Sequence, residues 1–429
     1  MARESATDEA TSKTEINQVD VRNKRELREF IYYPAELYRD VPQWVPPLYD
    51  TEWEYYHPDK NPVFEHSEAA LWLARRDGET IGRIMGIIQH RMNERFGTKN
   101  ARFALLDCIE DLEVAHGLLN SVEEWASERG METITGPHGF SDSDPEGMLI
   151  KGYDQRATIA SYYNHPYLPR FVEACGYTKD FDYRVFRIEI PAEPPQIYAK
   201  IKRRLERQGF VLVEFSKTRH IKPHLDNFVK ILNETFESVY GYVEMTPEEG
   251  RKLIKDYLRI MDPHFIKFIY KIDPAEVGRP IDPDADEVAG FLVGMPDITE
   301  GIQKAQGKLL PFGIFKIFKA RRTTKQLDLF FAGVTEKYRN RGLSAMFAVT
   351  FIRDANELGL EYIDAHQELE FNHKVHDEWS RFESREYKRL RVFAKELTPG
   401  GLERYKQATA EVILRDRIAP PEEHQEYRL

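Results

Sequence analysis

The chain has 429 residues, and its 61 Lys and Arg against 72 Asp and Glu give a formal net charge of −11. With 41% hydrophobic and 31% charged residues, it has an ordinary globular composition and the length of about two domains. The negative charge argues against a general nucleic-acid binder. Two cysteines, Cys108 and Cys175, are too few for a disulfide framework or a four-thiolate zinc site.

Both ends of the chain are predicted to be tails outside the folded domains. Residues 1–14 have no apolar run of the kind that forms a secretory signal, and we expect this segment to be disordered. No run of about 18 apolar residues occurs anywhere, so no membrane-spanning helix is predicted. We predict a second tail over 416–429 and a cytoplasmic location.

The first half predicts alternating strands and helices. Asp77-Gly78 separates two strand-like runs and is a strong hairpin signal. Gly176 follows a helical stretch at the position where helices commonly end. The predicted elements are strands at Ile16–Val21, Ala69–Arg75, Thr80–Gln89, Arg102–Ile109, Glu132–Thr135 and Tyr183–Ile190, and helices at Lys24–Leu37, Glu113–Arg129 and Tyr167–Ala174.

A Pro-rich junction at Pro191–Pro195 marks the predicted domain boundary. The order of elements before it is repeated after it, which indicates a duplicated α/β (α+β) unit. We predict one domain over 15–190, a linker and helix over 191–208, and a second domain over 209–415. The second half predicts strands at Phe210–Phe215, Ile266–Ile272, Glu287–Met295, Gln326–Val334 and Glu361–Leu369, and helices at Gln196–Gln208, Lys222–Phe236, Pro247–Met261, Leu343–Leu358 and from Asn372.

A short polar loop joins a strand that ends at Val334 to a helix that starts at Gly342. The N-terminus of a helix attracts anions, and a glycine there permits their close approach. Arg339 and Arg341 lie in the loop and can pair phosphate oxygens bidentately. The pattern indicates a pyrophosphate site, and the alternative is a plain strand-to-helix turn with two solvated arginines. It matches neither a P-loop nor a GxGxxG motif.

The pattern Arg339-x-x-Gly342-x-Ser344 resembles motif A of the GNAT acyltransferases, and the element order of both halves is similar to the GNAT fold. The resemblance implies two tandem GNAT-like domains, each a mixed, mostly antiparallel sheet flanked by helices. It also implies acyl-coenzyme A as the co-substrate. By position, the residues implied to bind it are Val334 at the pantetheine arm and Arg339, Asn340, Arg341, Gly342 and Ser344 at the pyrophosphate.

A second family feature is an Asn that starts the helix after the fifth strand, followed seven residues later by a Tyr that protonates the leaving thiolate. Asn372 fits the Asn and is assigned to the cofactor site, but Trp379 stands at the Tyr position. In the first half, Asn164 fits and Phe171 replaces the Tyr. The general acid is therefore not predicted.

The first half lacks the pyrophosphate loop. Its equivalent segment contains Glu110, Asp111 and Glu113, which would repel phosphate. We predict a degenerate copy that packs against the second half and helps to form the acceptor cleft.

The strand at Glu361–Leu369 carries the candidate catalytic residues. Alternation places Asp364, His366 and Glu368 on one face. His366 could serve as the general base, and Glu368 could orient it or take the proton itself. Asp364 and Glu370 are assigned to the substrate. The alternative is a polar structural network at the end of the strand.

The loop over 136–154 carries four further ionisable residues: His138, Asp142, Asp144 and Glu146. We favour a turn-forming and helix-capping role, ahead of substrate contact, with metal binding last because no recognisable metal-loop spacing is present. No metal site is predicted.

An insertion separates the strands at Glu287–Met295 and Gln326–Val334. Residues 301–327 contain no acidic residue, and several Leu, Ile and Phe are crowded among lysines and arginines at 304–325. This composition is typical of an interfacial helix that binds anionic lipid surfaces. It predicts peripheral contact with the inner face of the membrane, against the alternatives of a buried excursion over the core or a protein partner.

Together these features predict an acyl-CoA-dependent N-acyltransferase with an amine acceptor, and membrane contact would make that amine lipidic. The segments YYPAELYRDVPQWVPPL and GPHGFSDSDPEGML give a weaker resemblance to the group that includes the bacterial ceramide synthases. The competing class is a non-catalytic acyl-CoA-binding regulator or membrane-associated scaffold. No nucleic-acid partner is predicted, and the sequence does not indicate an oligomeric state.

Overall fold

The computed structural model describes residues 13–141, 144–236, 242–258 and 260–417. Most of the two predicted tails, at 1–12 and 418–429, lies outside these residues. Within the described chain, no helix is both long enough and apolar enough to cross a membrane.

The first half contains seven strands and five helices in its described part. They are β1 (Glu15–Gln18), α1 (Lys24–Leu37), α2 (Tyr49–Tyr55), β2 (Ser67–Arg76), β3 (Glu79–Gln89), α3 (His90–Phe96), β4 (Asn100–Cys108), α4 (Leu112–Glu128), β5 (Thr133–Gly136), β6 (Met148–Lys151), α5 (Tyr167–Ala174) and β7 (Thr178–Glu189).

The second half adds six strands and eight helices over the residues described there. They are α6 (Gln196–Arg207), β8 (Phe210–Glu214), α7 (Leu225–Phe236), α8 (Pro247–Tyr257), β9 (Ile266–Lys271), β10 (Glu287–Pro296), α9 (Thr299–Ala305), α10 (Gly313–Thr323), β11 (Gln326–Val334), α11 (Leu343–Glu357), β12 (Tyr362–Leu369), α12 (His373–Trp379), β13 (Ser384–Glu396) and α13 (Gly401–Arg417).

Local chemistry explains where several elements begin and turn. The side chain of Asn23 accepts a hydrogen bond from the backbone of Arg25 and caps α1. Asp77 and Gly78 both have positive φ, 55° and 82°, as a tight hairpin turn between β2 and β3 requires. Asp111 caps α4 through the Glu113 amide at 3.0 Å and pairs with Arg76 at 2.7 Å. A carboxylate therefore occupies the start of α4.

All thirteen strands form one sheet. The order is β1-β2-β3-β4-β5-β13-β7-β12-β11-β10-β9-β8, and β6 pairs with β13 beside this path. The pairs β4–β5 and β11–β12 are parallel, and the others are antiparallel. The predicted mixed, mostly antiparallel sheet flanked by helices is confirmed.

The two halves exchange their last strands. β13, from the second half, lies between β5 and β7 of the first half, whereas β7 lies between β13 and β12. An apolar cluster crosses this junction and joins Tyr38, Phe181 and Leu390 from distant parts of the chain. Each half therefore depends on a strand of the other, and the sheet continues from one half into the other.

Separate apolar clusters fill the two ends of the sheet. The first packs α4 and α5 on β2–β5 through side chains such as Val122 and Leu168. The second packs α6 and α11 on β9–β11 around Leu205 and Met346. A third lies under α7, where Phe228 contacts Phe291 edge-on at 5.2 Å. These clusters fix the walls of the site that lies between the halves.

Candidate active site

A gap opens between the parallel strands β11 and β12. Their pairing covers three residue pairs, Gln326–Asp328 with Tyr362–Asp364. Beyond it, β11 follows β10 as far as Val334, while β12 follows β7 as far as Leu369. The two strands thus become the facing walls of a wedge.

Irregularities in both strands meet at the apex of this wedge. The β10–β11 register shifts at Val293 and leaves Phe330 between two paired residues. The β12–β7 register shifts between Asp364 and Gln367, and His366 has a positive φ of 55°, which is uncommon for a residue other than glycine. The rings of Phe330 and His366, which lie at these irregularities, stack with centroids 4.8 Å apart.

A cavity of about 400 Å³, called here the large cavity, lies on one side of the wedge. Aromatic side chains of α7, β9 and β11, including Phe228, Phe268 and Phe331, form its apolar part. Its polar part combines β12 with Asp144 and Glu146 from the first half. The cavity is therefore lined by residues of both halves.

The strand alternation predicted for the β12 carboxylates and histidine does not hold. Because of the bulge, consecutive residues from Ala365 to Leu369 line the large cavity, and Asp364 does not. The Asp364 carboxylate instead accepts hydrogen bonds from the hydroxyl of Tyr387 and the backbone amide of His366, and it lies 3.5 Å from Lys388 Nζ. Burial acts to raise the pKa of Asp364, but Lys388 and the hydrogen bonds from Tyr387 and the His366 amide together lower it below its ordinary value.

His366 is buried and lines the large cavity. Among the described residues, neither of its ring nitrogens has a hydrogen-bond partner, and Asp328 Oδ1 is 3.7 Å from Nε2. Burial lowers the pKa of His366 despite the attraction of Asp364, so the ring is neutral at pH 7. A neutral imidazole with both nitrogens unoccupied can accept or donate a proton within the cavity.

The two carboxyl oxygens of Glu368 differ in their hydrogen bonding. Trp379 Nε1 donates a hydrogen bond to Oε1 at 2.5 Å, whereas Oε2 is buried and has no hydrogen-bond partner within the described chain. Burial raises the pKa of Glu368 to about 8. His376 Nε2 lies 3.6 Å from Oε2, but burial lowers the pKa of His376 to about 4, so it supplies no charge at pH 7.

The other substrate candidate, Glu370, lies away from the large cavity. Its carboxylate pairs with Lys179 at 2.8 Å and accepts the amide of Asp182 at 3.0 Å. These contacts tie the end of β12 to β7. The sequence assignment of Glu370 to the substrate thus gains no support from its position.

The candidate pyrophosphate loop has the predicted geometry. Gly342 has a φ of 89° and immediately precedes α11, and a Cβ there would lie 2.9 Å from Cγ2 of Ile201. The side chains of Arg339, Asn340, Arg341 and Ser344 are exposed. The carbonyl of Val334 accepts a bond from Arg339 Nε at 3.4 Å. The first amides of a helix lack intrahelical partners, so this end of α11 fits an anion.

A second cavity, of about 230 Å³ and called here the small cavity, connects this loop to the wedge. Val334 and Ser344 line it at one end, and it shares Leu329, Ala332 and Trp379 with the large cavity. The small cavity therefore extends from the loop to the part of the wedge beside β12.

Asn372 caps α12 and lines the large cavity. Its side chain accepts the amide of Val375 at 3.4 Å, and one turn beyond, α12 carries Trp379 towards Glu368. The first-half counterparts have structural contacts instead. The side chain of Asn164 accepts the Leu149 amide at 2.6 Å, and Phe171 packs in the first apolar cluster.

The 136–154 loop forms part of the large cavity. Glu146 is held by His138 at 2.8 Å and by the hydroxyl of Tyr183. Asp144 accepts the Phe140 amide at 2.8 Å, and burial raises its pKa to about 6. Asp142 lies outside the described residues. No group of three or more His, Cys, Asp or Glu positioned for a metal ion occurs in the described ranges.

Two residues of the site were not identified from the sequence. Asp328 is fully buried on β11, and its pKa is raised well above the usual range by burial and by the nearby Asp297. A lone Asp within an apolar strand was the available signal. In the sequence, Trp379 stands out only because it replaces a Tyr. The structure shows that it also contacts the candidate base, Glu368, directly.

No family model matches the chain. The chain is 26% identical to protein YghO of Escherichia coli over 386 residues, which cover 87% of this chain and 94% of that protein. It is also 26% identical to a bacterial ceramide synthase of Caulobacter vibrioides, with coverage of 90% and 99%.

Solved structures show the same fold. A tandem GNAT protein from the clavulanic acid biosynthesis pathway superposes with a TM-score of 0.51 at 12% identity, over 90% of this chain and 99% of that one. A GCN5-related glucosamine N-acetyltransferase region of a fungal β-N-acetylglucosaminidase also gives 0.51 at 11% identity, over 90% of this chain and 38% of that one. The predicted tandem GNAT fold is thereby confirmed.

Proposed function

We propose that this tandem GNAT-fold protein is an acyl-CoA-dependent N-acyltransferase that acts on a long-chain amine. The observation that carries the proposal is the unoccupied Oε2 of Glu368, which is buried in the wall of a largely apolar cavity. A buried carboxylate oxygen without a partner is costly to folding unless a ligand uses it. An amine N–H is a suitable donor to that oxygen.

The acyl donor would bind through the loop and the small cavity. Arg339 and Arg341 would pair with the pyrophosphate, and Asn340, Gly342 and Ser344 would complete its site around the amides at the start of α11. The pantetheine arm would follow Val334 along the wedge towards β12. Backbone amides in the wedge would then polarise the thioester carbonyl.

The acceptor would bind from the opposite side, in the large cavity. Asp144, whose pKa of about 6 leaves it mostly ionised at pH 7, gives the polar end of this cavity a negative charge that attracts an alkylammonium ion. The aromatic part, with Phe228, Phe268 and Phe331, suits an alkyl chain. The similarity to a protein named bacterial ceramide synthase supports a lipidic amine as the acceptor.

In the reaction, Glu368 takes a proton from the bound ammonium, and the neutral nitrogen attacks the thioester carbonyl carbon. The new C–N bond forms, the C–S bond breaks and coenzyme A leaves as the thiolate. The second nitrogen proton is lost as the amide forms; in this proposal His366 receives it and returns a proton to the thiolate. No acyl-enzyme is required, since both cysteines are buried in the first half.

The test is calorimetric titration with acetyl- and palmitoyl-coenzyme A, followed by a turnover assay with a sphingoid amine. We expect tighter binding of palmitoyl-coenzyme A and release of free thiol only when the amine is present. Binding of acetyl-coenzyme A alone would redirect the search to small or peptidic amines. Absence of binding by both would contradict the assignment of the co-substrate.

The second candidate is a non-catalytic acyl-CoA-binding regulator. One observation favours it: Trp379 occupies the position of the family's acid and cannot donate a proton to a thiolate. This candidate predicts binding of acyl-coenzyme A without thiol release in the presence of any amine. The same two measurements therefore separate the two functions.

A further inference from the structure

The insertion between β10 and β11 folds as a helical pair with an apolar inner face. Ile302 of α9 and Ile317 of α10 are buried against Met295. The helices approach closely, because a Cβ at Gly301 would lie 2.6 Å from Cα of Ile317. The pair is thus a fixed part of the fold, and its outward features are held in place.

Three large apolar side chains at the end of this pair point outward. Leu310, Phe312 and Phe315, called here the insert tip, are 76%, 72% and 67% exposed. Among the described residues, no other large apolar side chain exceeds 51% exposure. Such an exposed apolar cluster marks a site of contact with another protein or with a membrane.

Cations surround the insert tip. Lys308, Lys316, Lys319 and Arg322 are exposed, and residues 301–327 contain no acidic residue although the whole chain carries a net charge of −11. On α10, Phe315, Lys319 and Arg322 follow the i, i+4, i+7 spacing of one helix face. Apolar groups edged by cations are typical of surfaces that bind anionic bilayers.

The helical pair also contacts the first half of the chain beside a cavity. The Gly307 carbonyl accepts the amide of Tyr49 at 3.0 Å, and Gln303 donates to the carbonyl of Trp44 at 2.6 Å. The segment at 45–48 and Ile302 line a cavity of about 260 Å³, which shares Asp144 and Ile159 with the large cavity. The base of the helical pair therefore lies beside a cavity that borders the large cavity.

We propose that the insert tip docks the protein on an anionic phospholipid bilayer, with Leu310, Phe312 and Phe315 inserted among the lipids and the surrounding cations paired with phosphates. The bilayer is favoured over a protein partner because the exposed Lys308, Lys316, Lys319 and Arg322 are spread around the tip, and such a spread of cations suits many lipid phosphates. The inference goes beyond the proposed function and does not depend on it, because docking is measured without turnover.

The test is flotation of the full chain with vesicles of phosphatidylcholine alone or mixed with phosphatidylglycerol. We expect binding to the mixed vesicles, weakened by salt, and little binding to phosphatidylcholine alone. The variant F312S/F315S should bind the mixed vesicles at least about tenfold more weakly, because it lacks the two aromatic side chains that would be transferred from water into the bilayer. K308E/K319E should lose the preference for phosphatidylglycerol.

The matched control is V277S/L358S, which changes two exposed apolar residues far along the chain from the insert. It should bind the mixed vesicles like the unmodified protein. Equal binding of F312S/F315S and the unmodified protein would overturn the proposal, as would failure of the unmodified protein to float with either vesicle. Matching thermal melting curves would show that the variants remain folded.

Discussion

Trp379 donates its indole N–H to Oε1 of Glu368 at 2.5 Å and thereby fixes the candidate base in the wall of the large cavity. The bond occupies one oxygen and leaves Oε2 for a ligand. Trp379, which stands where the GNAT acyltransferases carry a Tyr, therefore holds Glu368 in place. It has a positioning role, which makes the pair Glu368 and Trp379 the first target for mutation.

Replacing Glu368 by Gln should lower kcat by about 100-fold or more, because a neutral amide cannot accept the proton of the attacking amine. The affinity for acyl-coenzyme A should change little, since the loop at Arg339–Gly342 is untouched. Steady-state thiol release and calorimetry measure the two quantities. The control is Glu383→Gln, an exposed carboxylate beyond α12. Full activity of Glu368→Gln would assign the base to His366.

The pH dependence of kcat should rise with pH through about 8, because Glu368 must be ionised to act as base and burial raises its pKa to that value. The Trp379 hydrogen bond opposes this shift by stabilising the ionised form. Trp379→Phe removes the bond but keeps an aromatic ring, so the rising limb should move to still higher pH. An unchanged limb in Trp379→Phe would show that another group sets the profile.

The local elements were largely predictable from sequence. The helices at Lys24–Leu37 and Tyr167–Ala174 have the predicted bounds, because turn and cap residues determine them locally. The exchange of β7 and β13 was not predictable. Strand edges offer the same backbone groups to any partner, so local sequence does not specify which half a strand completes.

The chemistry of the site was predictable only in part. The loop around Gly342 could be predicted because the end of a strand, a glycine and the start of a helix are all recognisable in the sequence. Strict alternation along β12 predicts that Asp364, His366 and Glu368 share one face. The bulge at His366 interrupts the alternation, and Asp364 does not line the large cavity. A positive φ at a histidine has no clear signal in a single sequence.

Replacing both Arg339 and Arg341 by Ala should weaken binding of acyl-coenzyme A by at least about tenfold per arginine, since each charge-assisted contact contributes about 1.5–3 kcal/mol. Both side chains are exposed, so folding should be unaffected. Calorimetry with palmitoyl-coenzyme A is the measurement. Arg22→Ala with Arg39→Ala, two exposed arginines of the first half, is the matched control. Equal affinity in both variants would contradict the pyrophosphate site.

Replacing Asp144 by Asn should raise the KM for the amine acceptor and leave the affinity for acyl-coenzyme A unchanged. Its pKa of about 6 means that the carboxylate is mostly ionised at pH 7 and can pair with an ammonium group. The kinetics of thiol release against acceptor concentration test this. Asp284→Asn, at an exposed carboxylate in the second half, is the control. An equal KM would remove Asp144 from the acceptor site.

Glu368 should also affect stability in a way that requires no substrate. Its folded-state pKa of about 8 lies above the ordinary value of 4.5, so the folded protein holds this proton more tightly than the unfolded chain does. The resulting stabilisation is complete below pH 4.5 and is lost as pH rises through about 8. His366, whose pKa is lowered below its ordinary value of 6.5, instead adds stability as pH rises, and most of that gain is made by pH 6.5.

In the window from pH 6.5 to pH 8 the remaining change at His366 is small, and a Glu368→Gln variant shares it, so the difference between the two proteins reports Glu368. Between these values the free energy of unfolding of the unmodified protein should fall by about 1–2 kcal/mol more than that of Glu368→Gln, which has no proton to lose. Urea titrations at the two pH values measure the difference. Parallel pH dependence in the two proteins would mean that Glu368 is already ionised at pH 6.5, and its role as a base with a raised pKa would then be wrong.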